Sequence, residues 1–356
     1  MTAFTTADVL LPRLTAEGMS KWAVVACDQY TGEPEYWEKV REIVGRAPSA
    51  LDLILPEAYL DEPNCEEHIA KIHENMTNYL KNDLFNVYND CFILTTRTQA
   101  DGRLRVGLVG AIDLEMYDYN KGSKSQVRAT EATVAERIPP RVKIRMNAPL
   151  ELPHIMILID DVQNTVIEPL LEKKLQTVYD FELMQNGGHL KGSVVDEDSA
   201  REVLAALDKL ADKNTFNRRY GLQNEDVLLY AMGDGNHSLA TAKECYEQKK
   251  RTNSPDAELA RYALVEVVNL HSPALEFEAI HRVITEVDTD DLMCKMTNSL
   301  GLTEDGEQKF SVVLGDKTRE FGITKPTSNL TVGSLQTFLD DYLHKNGGKI
   351  DYIHGE

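Results

Sequence analysis

The sequence predicts an α/β (α+β) protein, with a mixed sheet and helices that flank it. Apolar runs typical of buried strands alternate along the chain with amphipathic stretches typical of helices. One such run, Val227–Met232, stops at Gly233-Asp234-Gly235, and residues 238–249 then have a helical composition without Gly or Pro. This pattern predicts a strand, a tight turn and a helix in direct succession.

A hairpin and further helices complete the predicted architecture. Cys91–Arg97 and Leu104–Asp113 are two predicted strands, because Asp101-Gly102 between them is a strong hairpin signal. Ile138–Arg145 alternates basic and apolar residues, which is typical of an extended strand. Other strands are predicted at 22–27, 155–159, 262–270 and 350–353, a hairpin near 310–323, a helical or mixed segment at 163–184, and helices at 35–44, 64–81, 198–213, 332–345 and after residue 286.

The chain is long enough for two segments. Its 356 residues exceed the usual size of one domain, which is about 150 residues. The character of the sequence changes near residue 286, where an acidic helix begins. We therefore expect a core over residues 1–285 and an appended α/β subdomain over residues 286–356.

Composition favours a cytoplasmic protein without a nucleic-acid partner. The net charge of −20, without a useful run of Lys or Arg, argues against a nucleic-acid partner. No run of about 18 apolar residues and no export signal occur, so we expect neither membrane insertion nor export. The 5 cysteines are scattered without a C-x-x-C spacing, which fits a reducing compartment and indicates neither a disulfide framework nor structural zinc.

The turn after the strand at 227–232 is the main candidate site. A glycine turn that leads into a helix directs backbone N–H groups and the positive end of the helix dipole at one point, where an anion can bind. Asp234, Asn236 and His237 add a carboxylate, an amide and an imidazole there. The competing interpretation is ordinary turn chemistry, with Ser238 as a helix cap and His237 on the surface.

Polar residues follow other predicted strands as well. Asp28 comes after the run that starts at Trp22, and Asp160-Asp161 come after residues 155–159. Asp28 can equally be a turn former. The adjacent carboxylates can hold a hydrated divalent ion or cap a turn. Arg128 and Glu131 lie three residues apart, so on a helix they could form an ion pair instead of a site.

Two basic groups could supply charge for an anion. Arg137, Arg141, Lys143 and Arg145 form a local cluster, which could serve a small anion or could be a solvated face. His281 and Arg282 place an imidazole and a guanidinium side by side further along the chain.

The order of these motifs resembles the domain-of-unknown-function 1015 family of bacterial and archaeal proteins. The resemblance rests on Trp22-Ala-Val-Val-Ala-Cys-Asp-Gln-Tyr30, Arg128-Ala-Thr-Glu-Ala-Thr133, Asp234-Gly-Asn-His237 and His281-Arg282, and it spans roughly residues 8 to 356. It implies that related chains continue beyond the last residues of this one.

The central motif carries most of the resemblance. Many family members have Asp-Gly-His-His-Arg-Tyr-Glu-Thr-Ala there, which Asp234, Gly235, His237, Thr241 and Ala242 match. Asn236 replaces the first His and Ser238 replaces the Arg. A serine hydroxyl cannot substitute for the charge of a bidentate guanidinium.

The same motif is similar to the Gly-x-x-Arg phosphate-binding turn of the ParB and sulfiredoxin superfamily. That superfamily includes nucleotide-binding proteins and archaeal kinases that phosphorylate free serine. The resemblance implies a ParB/sulfiredoxin-like core and a kinase that uses ATP or ADP with Mg²⁺.

The resemblance also implies roles for individual residues. Gly235, Asn236, His237 and Ser238 would bind phosphate. Arg128 and the pair His281 and Arg282 would supply charge and ligand contacts, with Lys143 as another source of charge. Asp28, Glu131, Asp234 and His237 are the candidates for the general base or for holding the metal ion.

Two other functions and a purely structural interpretation remain open from the sequence. A nucleotide-binding regulatory protein would bind the same ligand without turnover. A metal-dependent hydrolase could use His237, His281 and Asp234, although their separation gives no ligand-spacing signature. The polar clusters could also be structural, but several of them follow strands, where α/β proteins gather their sites.

Overall fold

The computed structural model describes residues 2–25, 33–56, 59, 64–130, 138–152, 155–276 and 280–354. The chain forms two compact units, Met1–Leu275 and Glu276–Glu356. The second unit begins earlier than the boundary expected after residue 285, because the strand Ile280–Thr285 pairs with Lys349–His354 near the end of the chain.

The helices begin and end at residues suited to those positions. Asp196, Asp212 and Asp288 each accept a backbone N–H from the first turn of the helix that follows. Gly221 and Gly301 end two helices in the left-handed conformation. The α-helices of the described ranges are α1 (Ala16–Trp22), α2 (Pro34–Val44), α3 (Cys65–Lys81), α4 (Ile138–Met146), α5 (Glu197–Leu210), α6 (Lys213–Tyr220), α7 (Asn236–Arg251), α8 (Ala257–Ala260), α9 (Thr289–Leu300) and α10 (Thr331–Asn346).

The first unit is built on a mixed ten-stranded sheet, which confirms the predicted fold class. A separate two-stranded ribbon joins β2 to β3. The strands of the first unit are β1 (Phe4–Thr5), β2 (Ala7–Pro12), β3 (Phe85–Cys91), β4 (Ile93–Thr98), β5 (Leu104–Asp113), β6 (Tyr117–Asp118), β7 (Val127–Arg128), β8 (Met156–Ile159), β9 (Gln176–Glu182), β10 (His189–Val194), β11 (Tyr230–Asp234) and β12 (Tyr262–Asn269). In the large sheet the order is β6-β7-β11-β8-β12-β5-β4-β10-β9, with β1 paired to β5.

Strand direction decides which loops meet at each edge of the sheet. β7 and β11 are parallel, so the residues that follow both strands lie at one edge. β8 is antiparallel to β11 and parallel to β12, so the residues that follow β8 and β12 lie at the opposite edge. The turn at Gly235 and the Asp160-Asp161 pair are therefore at opposite ends of neighbouring strands.

The main core lies on one face of the central strands. Ile157, Val267 and Leu108 are buried there, and α7 covers them with Leu239 and Tyr246. Burial of this apolar surface is the principal force that holds α7 against the sheet.

The antiparallel pairing of β4 with β5 confirms the hairpin predicted from Asp101-Gly102.

Several predicted elements have a different structure. Ile138–Arg145, expected as a strand, is helical in α4, because Pro139 and Pro140 are tolerated in a first helical turn, and Ile138 and Val142 are four residues apart on one helix face. Trp22, expected to open a strand, is the last residue of α1, where it packs with Met19.

Two further differences concern strands. Arg128 lies in β7, so the condition under which it would share a helix face with Glu131 is not met at Arg128. The hairpin of β9 and β10 was not predicted, although residues 163–184 were expected to be of mixed structure. The short apolar stretches of these strands are interrupted by charged residues, so they give no clear period.

The second unit has its own core of helices and short sheets. Leu300, Leu339 and Tyr342 of α9 and α10 are buried in it. Its strands are β13 (Ile280–Thr285), β14 (Leu302–Thr303), β15 (Gln308–Leu314), β16 (Lys317–Ile323) and β17 (Lys349–His354), in the pairs β13-β17 and the order β14-β16-β15. The hairpin near 310–323 and the helix at 332–345 were predicted.

Within the described ranges, no helix combines the length and the apolar character that spanning a bilayer requires.

Candidate functional site

The turn between β11 and α7 consists of a single residue. β11 ends at Asp234 and α7 begins at Asn236, so only Gly235 lies between them. Gly235 has φ +86° and ψ +30°, in the left-handed region that a side chain disfavours. The glycine therefore allows the strand to lead directly into the helix.

The side chains around this turn are partly accessible. Asn236 is 5% exposed, whereas Asp234, His237 and Ser238 are half-buried. The first turn of α7 contains no acidic residue, and its last turn contains Lys249, Lys250 and Arg251. No carboxylate in that first turn therefore neutralises the positive end of the helix dipole. This arrangement can accept a negatively charged group.

A second sequence motif lies beside the turn. Val127 and Arg128 of β7 pair in parallel with Tyr230 and Ala231 of β11. The hydroxyl of Thr130 donates a hydrogen bond to the carbonyl oxygen of Met232, at 2.8 Å. The two motifs, about a hundred residues apart in sequence, are thus adjacent at one edge of the sheet.

The guanidinium of Arg128 has backbone partners. Its Nε donates to the carbonyl oxygen of Ser125 at 2.6 Å, and its Nη2 donates to that of Asp226 at 2.9 Å. Burial lowers the pKa of Arg128, although Asp226 and Glu225 oppose this effect. Because Asp226 precedes β11, the guanidinium is directed towards the start of that strand, whereas the turn follows the end of it.

Of the other predicted site residues, two lie outside the described ranges and the rest belong to other elements. Asp28 and Glu131 lie outside the described residues. His281 and Arg282 belong to β13 in the second unit, where Nε of Arg282 donates to Oε1 of Gln336 at 2.9 Å and its guanidinium lies 5.6 Å from the centre of the Tyr352 ring. Lys143 is on α4 and forms an exposed ion pair with Glu66.

The Asp160-Asp161 pair has protein partners on both carboxylates. Oδ1 of Asp160 contacts Nη2 of Arg219 at 2.5 Å and Nε2 of His271 at 2.6 Å, and its other oxygen accepts the Tyr220 hydroxyl. Burial raises the pKa of Asp160, but these hydrogen bonds and charges outweigh burial and leave the pKa below its usual value. Asp160 therefore joins the end of α6 and His271, which follows β12, to the end of β8.

Asp161 has a turn-forming role. It is 1% exposed, and its Oδ2 accepts the backbone N–H groups of Thr165 at 2.5 Å and Val166 at 2.8 Å. Across the described ranges, no group of three or more His, Cys, Asp and Glu side chains is arranged to hold a metal ion. The carboxylates after β8 thus act as structural caps in this structure.

A second polar cluster was not singled out from the sequence. Nη2 of Arg105 in β5 lies 3.1 Å from Oε2 of Glu266 in β12, and the Thr95 hydroxyl of β4 donates to Oε1 of Glu266 at 3.0 Å. Glu266 pairs with Met156, one residue before the Val267 and Ile157 pair of the core, so its side chain projects from the sheet face opposite to the one that α7 covers. The sequence signal was a lone charge within the apolar run 262–270.

The comparison with protein families matches most of the chain. The family model described as "Protein of unknown function (DUF1015)" matches residues 12–342. The chain belongs to this family. The matched range includes the turn at Gly235, the Thr130 segment and the Arg105 cluster. Searches of curated proteins and of solved structures gave no match.

Proposed function

We propose that this member of the family is a small-molecule phosphotransferase that binds a nucleotide phosphate at residues 234–238. ATP or ADP with Mg²⁺ is the proposed phosphoryl donor, and a hydroxyl such as that of free serine is the proposed acceptor. The observation that carries the proposal is the one-residue turn at Gly235, which brings the N-terminal end of the 16-residue helix α7 to the partly accessible edge of the sheet.

The chemistry of phosphoryl transfer needs few protein groups. The acceptor oxygen forms a bond to the terminal phosphorus while the bond from that phosphorus to the bridging oxygen breaks, so the nucleotide leaves with one phosphate fewer. The hydroxyl proton passes to a base, and backbone N–H groups, cations and a metal ion stabilise the charge. Positioning these groups supplies most of the catalysis.

The residues around the turn suit these tasks. Gly235, Asn236 and Ser238 would contact phosphate through the backbone and short side chains. His237 or Asp234 would accept the hydroxyl proton, since both are half-buried beside the turn. Asp234 is also a ligand type that Mg²⁺ favours.

The source of positive charge differs from the first expectation. Because the guanidinium of Arg128 donates to the carbonyl groups of Ser125 and Asp226, we assign it the role of fixing β7 beside β11. The helix dipole of α7 and the metal ion then carry the charge stabilisation in the proposed reaction.

The test is a phosphorus NMR experiment. ATP and Mg²⁺ are mixed with the protein and a pool of free hydroxyl-bearing metabolites that includes serine. A new phosphomonoester signal is expected, and it should be lost in His237→Ala but kept in His344→Ala, which changes an exposed histidine of α10. Broadened ATP lines without product would instead favour a nucleotide-binding regulator, and an unchanged spectrum would refute the phosphate site.

A further inference from the structure

The tripeptide Asn-Gly-Gly occurs at residues 186–188 and again at residues 346–348. We propose that Asn186 is a site of spontaneous deamidation in the folded protein, and that the fold protects Asn346 from the same reaction. The reaction consumes water and gives aspartate or isoaspartate at residue 186. It uses none of the groups of the proposed phosphotransferase, so its outcome is independent of that function.

The reaction begins at the backbone nitrogen that follows the asparagine. This nitrogen loses its proton to hydroxide and forms a bond to Cγ of the side chain. The bond from Cγ to Nδ2 breaks, the leaving nitrogen takes a proton from water and departs as ammonia, and a cyclic imide remains. Water then adds to one imide carbonyl group and opens the ring, so no oxidant or reductant is needed. A following glycine favours the attack, because it has no side chain to hinder its own nitrogen.

The two sites share the groups that react. Both asparagines are exposed, and a glycine supplies the attacking nitrogen at each. The N–H of Gly187 donates to the carbonyl oxygen of Met184 at 3.0 Å. The N–H of Gly347 donates to that of Leu343 at 2.9 Å. Neither exposure nor this hydrogen bond therefore distinguishes the two sites.

The side chains are held differently. Nδ2 of Asn346 donates to the carbonyl oxygen of Tyr342 at 2.8 Å, and its Oδ1 accepts from Nζ of Lys295 at 2.8 Å. Cγ can approach the next nitrogen only if this side chain rotates, which breaks both bonds. The side chain of Asn186, by contrast, makes no hydrogen bond within the part of the chain that is described. Its rotation is therefore not opposed in this way.

The backbone conformation also differs between the sites. Asn346 is the last residue of α10, so formation of the imide ring would unwind the end of that helix. Asn186 lies in the loop after β9 with φ +55°, and Gln185 before it has φ +53°. A side chain disfavours this left-handed region. Rotation of the backbone at Asn186 therefore leaves a costly conformation and breaks no helical turn.

The loop that contains Asn186 closes the hairpin of β9 and β10. The N–H of Leu183 donates to the carbonyl oxygen of Gly188 at 2.7 Å, and Nε of Arg97 donates to that of Gly187 at 3.0 Å. Isoaspartate would direct the main chain through the former side chain, which adds one backbone atom and a negative charge inside this loop. Both hydrogen bonds should weaken in the modified protein.

Peptide mapping of the aged protein by mass spectrometry tests the proposal. The full chain is incubated, still folded, in oxygen-labelled water at mildly alkaline pH, and enzymatic methylation detects isoaspartate. Uptake of label at Asn186 should be at least about tenfold faster than at Asn346, because two hydrogen bonds restrain the second side chain. Equal uptake at both sites, or faster uptake at Asn346, would overturn the proposal.

Incubation in concentrated urea separates the effect of the fold from that of the sequence. Both tripeptides should then take up label at similar rates, because a glycine follows each asparagine. A preference for Asn186 that persists in urea would refute protection by the fold. Uptake by the folded protein should also rise with pH, since the attacking nitrogen must lose its proton, and uptake independent of pH would contradict the imide route.

Two variants locate the cause. Lys295→Met removes one hydrogen bond of Asn346, so uptake there should rise about two- to tenfold while uptake at Asn186 stays unchanged. An unchanged rate at Asn346 would overturn the assigned protection. Asn186→Gln is the control for the assignment, because glutamine must form a larger ring more slowly. Label in the peptide that contains residue 186 should fall to background in this variant, and label that persists would place the reaction at another residue.

Discussion

Thr130 and Met232 are joined by a hydrogen bond of 2.8 Å from the threonine hydroxyl to the methionine carbonyl oxygen. The bond lies at the end of the only parallel contact that β11 makes within the described ranges, its pairing with β7. It holds the segment after Arg128 against the strand that delivers Gly235. The two motifs consequently lie together at one edge of the sheet.

Gly235→Ala should weaken nucleotide binding and reduce stability together. Alanine at φ +86° costs about 1–2 kcal/mol, and relief of that strain would rotate the start of α7. The matched control is Gly102→Ala, because Gly102 has φ +85° and open space around it in a hairpin turn. Urea denaturation should show similar losses of unfolding free energy for both variants. ATP titration should show weaker binding only for Gly235→Ala, and equal ATP binding in both would contradict the site.

Arg128→Met should lower stability with little effect on ATP affinity. The substitution removes two hydrogen bonds from a charged donor to backbone carbonyl groups, worth about 1–3 kcal/mol in total for this half-buried side chain. Arg201→Met, which removes two exposed ion pairs, with Glu197 and Asp198, should change the unfolding free energy by less than about 0.5 kcal/mol. A stable Arg128→Met protein that no longer binds ATP would show instead that Arg128 contacts the phosphate.

Gly107→Ala should destabilise the protein through Glu266. The added methyl group would lie 2.1 Å from Oε1 of Glu266 unless that side chain moves, and overpacking of this kind costs about 1–3 kcal/mol. In a Glu266→Ala background the same substitution should cost much less, because the obstructing carboxylate is absent. A double-mutant cycle measured by urea denaturation checks this coupling, and additive effects would contradict the packing described.

His189 should titrate above its usual pKa of 6.5. Hydrogen bonds to Glu182 and Asp180 favour its charged form and outweigh the smaller effect of burial. Since the folded-state pKa is raised, the stabilisation is complete below about 6.5 and is lost as pH rises through the folded pKa. Proton NMR titration of the ring should show the raised pKa, and Glu182→Gln should lower it. An unchanged ring pKa in Glu182→Gln would contradict the pairing.

Much of the fold could be predicted because strong local patterns coincide with its elements. Asp101-Gly102 fixes a hairpin, and the apolar run before Gly233 fixes a buried strand, since both signals depend on neighbouring residues only. Ile138–Arg145 was misassigned because Ile138 and Val142 also have the four-residue spacing of a helix face, and the segment packs as a helix against α7. Trp22 was assigned to a strand from an apolar run too short to distinguish the two periods.

The candidate site could be predicted only in part. Residues 234–238 could be proposed from the sequence because the turn and the helix start are contiguous in it. That Thr130 lies beside Met232, and that Arg128 is directed away from the turn, depends on pairing between distant strands, which one sequence does not reveal. Glu266 was overlooked because its partner Arg105 lies far away in the chain.

The single residue between β11 and α7 restricts which changes this loop can accept. An α-helix advances about 100° per residue, so one inserted residue would rotate all of α7 and carry Leu239 and Tyr246 out of the core. The length of this loop is therefore fixed by the packing of α7 against the sheet. A substitution at residues 236–238 keeps this length, so it can change the chemistry beside the turn while α7 stays in place.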